Sequence, residues 1–231
     1  MSIRRALIDG DVLVHWTLWN ATNLQELKDS FQFNRDNWVG HSMSDEPQIA
    51  LGGPTNFRDE LHPSYKKVPS REKGRKDRPH WYGDAIEFAR SLPESKVAEG
   101  QEADDLLAIW QDGDDIIVSV DKDLRQVPGL HFCPRSSNLG LRDTFDVSPE
   151  EAKYNLDYQL LVGDPMDVIP GLPRVGPKTG VKLLAAGKTP IEMYKEVYGD
   201  DWEEQFLFNG RLLFLRRFNG DDFSVERYQQ L

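Results

Sequence analysis

The residues of this chain whose types and spacing could do chemistry are its carboxylates. They recur in tight groups: Asp9 and Asp11 in "LIDGD", Glu102, Asp104 and Asp105 in "EADD", Asp121 and Asp123 in "IIVSVDKDL", and Asp164 and Asp167 in "GDPMD". "IIVSV" has the composition of a strand buried on both faces. Such a strand should not end in two acids unless a cation or a donor compensates their repulsion. Period-two alternation would send Asp121 and Asp123 to the same side, near the carboxyl end of that strand. Glu102 and Asp105, three apart at a helix start, share a face, and Asp104 can point into the same cleft. Pooled, these acids form a set of hard oxygen ligands suited to Mg²⁺ or Mn²⁺, and the absence of nearby histidine argues against zinc. Two such ions about 4 Å apart form a clamp for in-line displacement at phosphorus. Helix capping by Glu102 and Asp105, and turn chemistry at Asp9 and Asp164, are the alternatives for single members of the set.

The elements that must position these groups alternate along the chain. "ALIDGDVLV" predicts a buried strand ending at Asp9, and "QIAL" (Gln48 to Leu51) a second short strand before the Gly52-Gly53-Pro54 break. "HWYGDAIEFARSL" has apolar residues near helical spacing, and "EADDLLAIWQ" a helix start with acids in its first turn, where the macrodipole favours them. The stretch from His62 to Pro79 is polar, basic and interrupted by proline, which predicts a loop or lid. Strands alternating with helices give an α/β class with a mostly parallel sheet, whose sites lie at the carboxyl ends of strands. From Ser148 onward the pattern is helical. The predicted division is therefore an α/β domain over 1–147, with a short basic segment over about 58–80, and a helical lobe over 148–231.

The 231 residues carry a formal net charge of −11, which by itself disfavours a polyanionic partner. Its distribution reverses that reading. Between Arg58 and Arg78 eight Lys or Arg residues face four acids, and between Val168 and Ile191 there are four basic residues and no acid. Each island taken alone could be an ordinary solvated face. A single cysteine, Cys133, excludes an intramolecular disulfide and a cysteine-rich zinc site. No run approaches a membrane span, and "MSIRRALIDGDVLVHW" lacks the apolar region of a signal peptide, so a soluble, cytoplasmic protein without membrane contact is expected.

The most specific segment is "GDPMDVIPGLPRVGPKTGVKLLAAG". Gly171 and Gly176 flank a short turn, and Pro177 fits the first position of a helix. Backbone N–H groups at that helix start, with Lys178 beside them, make a phosphate site that does not read base identity. This is the pattern of a helix-hairpin-helix.

With these motifs in hand, the chain resembles the 5′-nuclease family: flap endonucleases, the 5′-nuclease domain of bacterial DNA polymerases, and the compact phage-type 5′-3′ exonucleases. The motifs "LIDGD", "LHPSYK", "EADD", "SVDKD" and "GDPMDVIPGLPRVGPKTG" follow in family order. The resemblance implies a PIN-like 5′-nuclease fold and metal-dependent hydrolysis of DNA near 5′ ends, flaps or nicks in a bacterial or phage-infected cell; RNA–DNA hybrid stays open as a further substrate, and a monomer is the default expectation. It implies Asp9, Glu102, Asp104, Asp105, Asp121, Asp123, Asp164 and Asp167 as holders of two Mg²⁺ or Mn²⁺ ions, with Asp9, Asp121 and Asp123 in catalysis. It also implies Lys66 on the scissile phosphate, Tyr65 stacked on a terminal base, and Arg71 as an arch arginine. Gly171, Val175, Gly176, Lys178 and Thr179 would grip the duplex, with a K⁺ ion held by hairpin carbonyls near Val175.

Three positions depart from the family pattern. Gly53 stands where many members have an aspartate, implying a looser hold on one metal. Val168 stands where an asparagine is common, implying the loss of a local hydrogen bond. The segment between Tyr65 and Trp81 is too short and proline-broken for a long threading helix. Two other readings stay open. "IDGDVL" also resembles the opening of haloacid-dehalogenase-type phosphatases, with Asp9 as nucleophile and Asp11 as general acid. A member that binds DNA without cutting it is the other.

Overall fold

The computed structural model describes residues 3–18, 21–134 and 144–231. Among these residues six strands form one sheet: β1 (Arg5–Asp9), β2 (Glu46–Leu51), β3 (Ser95–Val97), β4 (Ile116–Val118), β5 (Gly129–Phe132) and β6 (Thr144–Val147). Their order is β3-β2-β1-β4-β5-β6, parallel throughout except for the antiparallel edge strand β6. The parallel order follows from the helical crossovers α1 (Gly10–Leu18), α2 (Leu24–His41), α5 (Tyr82–Ser91) and α6 (Ala103–Trp110).

Alternation along the central strands explains the layers. Ala6, Ile8, Ile116 and Val118 pack on the side of α1, α2 and α5, whereas Leu7 and Ile117 pack on the side of α6. Each leucine, isoleucine or valine among them removes water-exposed apolar surface worth about 1.5–3 kcal/mol. With both faces covered, the polar ends of β1 and β4 open only at their carboxyl edge, where Asp9 and Asp121 stand.

Two sequence expectations need correction here. Between Tyr65 and Trp81 the chain is not all loop: Pro69–Lys76 forms helix α4, preceded by the short α3 (Phe57–Leu61). Pro69 occupies the first helical turn, where its missing N–H costs nothing, so the residue read as a breaker starts the helix. Helix α4 buries none of its side chains and carries Lys73, Arg75 and Lys76 in its last turn. The second correction concerns Asp123. Strand β4 stops at Val118, and Asp123 opens a 3₁₀ turn, Asp123–Gln126, so strand alternation does not set its direction.

The rest of the chain comprises α7 (Pro149–Val162), α8 (Pro177–Ala185), α9 (Pro190–Tyr198), α10 (Trp202–Leu213) and α11 (Val225–Gln229). These helices close around Tyr194, Phe206, Phe214 and Phe223, and Tyr65 joins the same cluster from the segment before α4. Gly163 and Gly171 meet back to back between α7 and α8. Their φ angles are 73° and 62°, and a Cβ on Gly171 would lie 2.4 Å from the Gly163 nitrogen. Only glycine allows both the left-handed backbone and this approach. Among the described residues no helix is long and apolar enough to cross a membrane.

Candidate active site

Asp9, the last residue of β1, is buried. Its carboxylate accepts from the Val12 N–H (3.0 Å) and from Ser119 Oγ (2.8 Å), and Ser119 Oγ in turn accepts from the Asp121 N–H (3.0 Å). Ser119 thus couples the ends of β1 and β4. It escaped the sequence reading, although it lies only two residues before Asp121. Burial, with the charges of Asp11 and Asp121 adding to it, pushes the Asp9 carboxyl up to about 7. Asp104 is pushed well above the usual carboxylate range by burial and by Asp9, Asp121 and Glu102. Asp11 is raised by burial against the opposing N–H of Gly52, which donates to it at 3.0 Å.

A second group of acids lies across the cleft. Asp123 donates its backbone N–H to Asp121 Oδ1 (2.9 Å), and its own carboxylate accepts from Gln159 Nε2 (2.6 Å). Burial and Asp121 push the Asp123 carboxyl up to about 7. Asp164 begins the turn after α7, where its Oδ1 accepts from the N–H groups of Met166 (2.8 Å) and Asp167 (3.3 Å). Turn chemistry and membership of the cleft are therefore combined in one residue. Glu102, Asp104, Asp121, Asp123, Asp164 and Asp167 line a cavity of about 270 Å³, and Asp9 joins Glu102, Asp104 and Asp121 along a larger adjoining one.

Cations reach into the cleft from the segment around α4. Lys66 Nζ bonds Glu102 Oε1 and lies 3.7 Å from Asp167 Oδ2, and Arg71 Nη2 bonds Asp167 Oδ1 at 2.6 Å. Burial would raise Glu102, but Lys66 and Arg58 outweigh it and hold the carboxyl below its ordinary value. Lys122 contributes at 3.6 Å from Asp164.

Three assigned roles change with this geometry. Tyr65 is 3% exposed and its hydroxyl bonds Glu102 Oε2 at 2.9 Å, so it has no free face for a base and instead orients the glutamate. Asp105 is wholly buried: both its oxygens take Arg58 guanidinium hydrogens, at 2.6 and 3.0 Å, and it also accepts from the Glu102 and Arg216 N–H groups. With every lone-pair direction engaged it has none to offer a metal, and it is the capping alternative that describes it. Arg58, counted from sequence with the basic island, is that buried partner and not a phosphate ligand. Its place directly before Asp59 and Glu60, eight residues before Lys66, was the available signal.

The departures from the family pattern also acquire causes. A Cβ on Gly53 would sit 1.9 Å from the Ala98 carbonyl oxygen, so no side chain fits there. Val168 has φ 64°, a left-handed conformation that asparagine tolerates and a β-branched residue does not. The cost at 168 is thus backbone strain and not only a missing hydrogen bond. In the hairpin, Gly176 caps α8 with Pro177 at its first position, and Lys178 and Thr179 are exposed. Val175 is half-buried against the helical core.

The donor set fits a divalent cation in kind: carboxylate oxygens only, several of them raised by burial and then by one another's charge. Among the described residues no three His, Cys, Asp or Glu side chains converge closely enough to hold an ion as they stand. Lys66 and Arg71 meet part of the charge.

Acids gathered at the carboxyl edge of a mostly parallel sheet, beneath a basic helix and beside a glycine-turned helical hairpin, define the class of α/β 5′-nucleases. No family model matches the chain. It is 30% identical over 211 residues to flap endonuclease Xni of Shewanella amazonensis, an alignment covering 83% of this chain and 80% of that protein. The chain belongs to the flap endonuclease family. It is also 34% identical over 167 residues to DNA polymerase I of Streptococcus pneumoniae, covering 64% of this chain and 18% of the polymerase, so it spans under a fifth of the polymerases it matches. Among solved structures, the T5 5′-exonuclease with bound zinc superposes with a TM-score of 0.71 at 16% identity, over 98% of this chain and 96% of the other. The bacteriophage T5 D15 flap endonuclease in complex with DNA and metal ions gives 0.69 at 16% identity, over 92% and 89%. At these identities the likeness concerns the fold.

Proposed function

We propose that the protein is a metal-dependent nuclease that hydrolyses DNA phosphodiesters near 5′ ends. The observation that carries this is the gathering of Glu102, Asp104, Asp121, Asp123, Asp164 and Asp167 around one cavity, with Asp9 along the adjoining one, an arrangement of like charges that costs stability unless cations enter it. Asp9, Glu102, Asp104 and Asp121 on one side and Asp123, Asp164 and Asp167 on the other would hold two Mg²⁺ or Mn²⁺ ions. Such ions, when bound, supply an activated water and stabilise a leaving oxygen. The protein's own contribution is positional. Ser119 fixes Asp9 relative to Asp121, Gln159 aims Asp123, and Tyr65 aims Glu102. Lys66, against Glu102 and near Asp167, is the side chain placed to exchange a carboxylate partner for a scissile phosphate. Lys178, Thr179 and the N–H groups at the start of α8 would hold the duplex through its phosphates, without sequence preference and with a strong salt dependence. In this reading 1–147 is the catalytic unit, and 148–231 grips the duplex and lends Gln159, Asp164 and Asp167 to the cleft.

The test is a time course on a 5′-labelled duplex and a 5′-flap substrate in Mg²⁺, Mn²⁺ or EDTA, comparing wild type with Asp121→Asn. Metal-dependent short 5′ products, abolished by the substitution, are expected. DNA binding with no product in either metal would leave only the non-cutting reading.

A further inference from the structure

The cleft continues past the acids into a cavity of about 1100 Å³, and the far part of this cavity is chemically different. Helix α1 leads away from Asp9, and His15 and Trp16 on it, roughly 9 Å further along the helix axis, line the cavity together with Tyr82 of α5 and Arg75 and Arg78. Asp11, one turn before His15 on α1, lines the same cavity, and its charge reaches Tyr82. Arg78 is partly buried, its guanidinium lies 4.0 Å from the Tyr82 ring centroid, and its Nη2 stands 3.4 Å from His15 Nε2. Its Nε is buried without a hydrogen-bond partner, and among the described residues no acid pairs with it. His15 is lowered by burial and by Arg78, so the imidazole stays neutral beside the arginine. A half-buried guanidinium held over a ring by packing, with no carboxylate paired to it, is suited to take an anion through its terminal nitrogens.

We propose that this recess is a subsite for the 5′-terminal phosphate of the DNA strand, with Arg78 as its main ligand, Arg75 as a second, and Tyr82 holding Arg78 in place. The inference rests on the nuclease reading above and adds a specificity to it: 5′-phosphorylated ends are preferred over 5′-hydroxyl ends. A terminal phosphate carries close to two negative charges at neutral pH and three free oxygens, whereas an internal phosphodiester carries one charge, so a bidentate arginine favours the end of the strand. The cavity's size suits a ligand of one or a few nucleotides at that end. No such preference follows from the acids, because they meet the same phosphodiester in either substrate.

The experiment uses two otherwise identical duplexes with a 5′-phosphate or a 5′-hydroxyl, and compares wild type with Arg78→Gln. Cleavage rates are measured in Mg²⁺, and dissociation constants by fluorescence anisotropy in EDTA. The wild type is expected to favour the phosphorylated end at least about tenfold in both, and Arg78→Gln to bring the ratio close to one with an unchanged circular-dichroism spectrum. Equal rates on the two ends, with both cut, overturn the subsite and leave the nuclease standing. If neither duplex is cut, the nuclease reading fails by itself. The dissociation constants then decide the subsite: a tenfold preference that depends on Arg78 upholds it, and equal or undetectable binding overturns it.

Discussion

Replacing Arg58 by methionine would test the structural account of the "EADD" acids. Arg58 is 1% exposed, and it bonds both oxygens of Asp105, the Leu212 carbonyl (2.9 Å) and the Phe214 carbonyl (2.8 Å). It therefore ties α3 to the start of α6 and to the end of α10. Methionine keeps much of the volume but removes every side-chain donor, leaving a wholly buried carboxylate with two backbone N–H bonds and no counter-charge, and two carbonyls without these donors. Breaking a buried pair in this way costs about 3–5 kcal/mol. The pH dependence has a defined sign. Burial alone would raise Asp105, but Arg58 overcomes it and holds the carboxyl below its ordinary value. The pair's stabilisation is therefore fully present above the unfolded-state value of about 3.9 and fades as pH falls through the lower folded value. In Arg58→Met the orphaned Asp105 takes up a proton more readily, so the deficit relative to wild type is largest near pH 7 and shrinks towards pH 5. Urea denaturation followed by circular dichroism, at both pH values and in EDTA, measures it. The double variant Arg58→Met/Asp105→Leu should recover most of the loss, since an apolar pair of similar volume replaces the ion pair. A deficit below about 1 kcal/mol at pH 7, or one that appears only with Mg²⁺ present, would refute the assignment of Asp105 as Arg58's structural partner.

Three further outcomes are expected. Val168→Asn should raise stability by about 1 kcal/mol, read as a shift in thermal midpoint, because asparagine relieves a left-handed strain of order 1–3 kcal/mol; no gain would mean that Val168's packing compensates its backbone. Gly53→Ala should destabilise by more than about 2 kcal/mol, since its Cβ meets a backbone carbonyl that cannot swing away; a neutral result in chemical denaturation would contradict that contact. In EDTA the thermal midpoint should fall as pH rises from 5 to 8. Asp9 and Asp123 sit near 7 when folded and near 3.9 when unfolded, so the native state binds more protons and loses that advantage through this window. Saturating Mg²⁺ should remove the fall by binding the ionised acids, and a slope unaffected by metal would count against their role as its ligands.

Much of the site could be read from residue types and order. The runs "ALID" and "IIVSV" are apolar at successive positions because both sheet faces are covered, so the acids following them had to stand at the open edge. Pro177 after Gly176 marked the hairpin helix without help from tertiary contacts, since proline and glycine act through local backbone energetics. What the sequence could not determine were the partners. Asp104 and Asp105 are adjacent acids in one helix turn, yet one faces the cleft and the other an arginine 47 residues away, a choice made by the helix's rotation in the fold. Tyr65 looked like an exposed aromatic in a basic loop until the helical core enclosed it. Val168 looked like a side-chain change until its φ showed that the backbone carries the cost. Local propensity and hydrophobic pattern are properties of neighbouring residues, and a sequence displays them directly. Which charge meets which, and which carboxylate is left needing a cation, depends on long-range packing, and only the tertiary structure decides it.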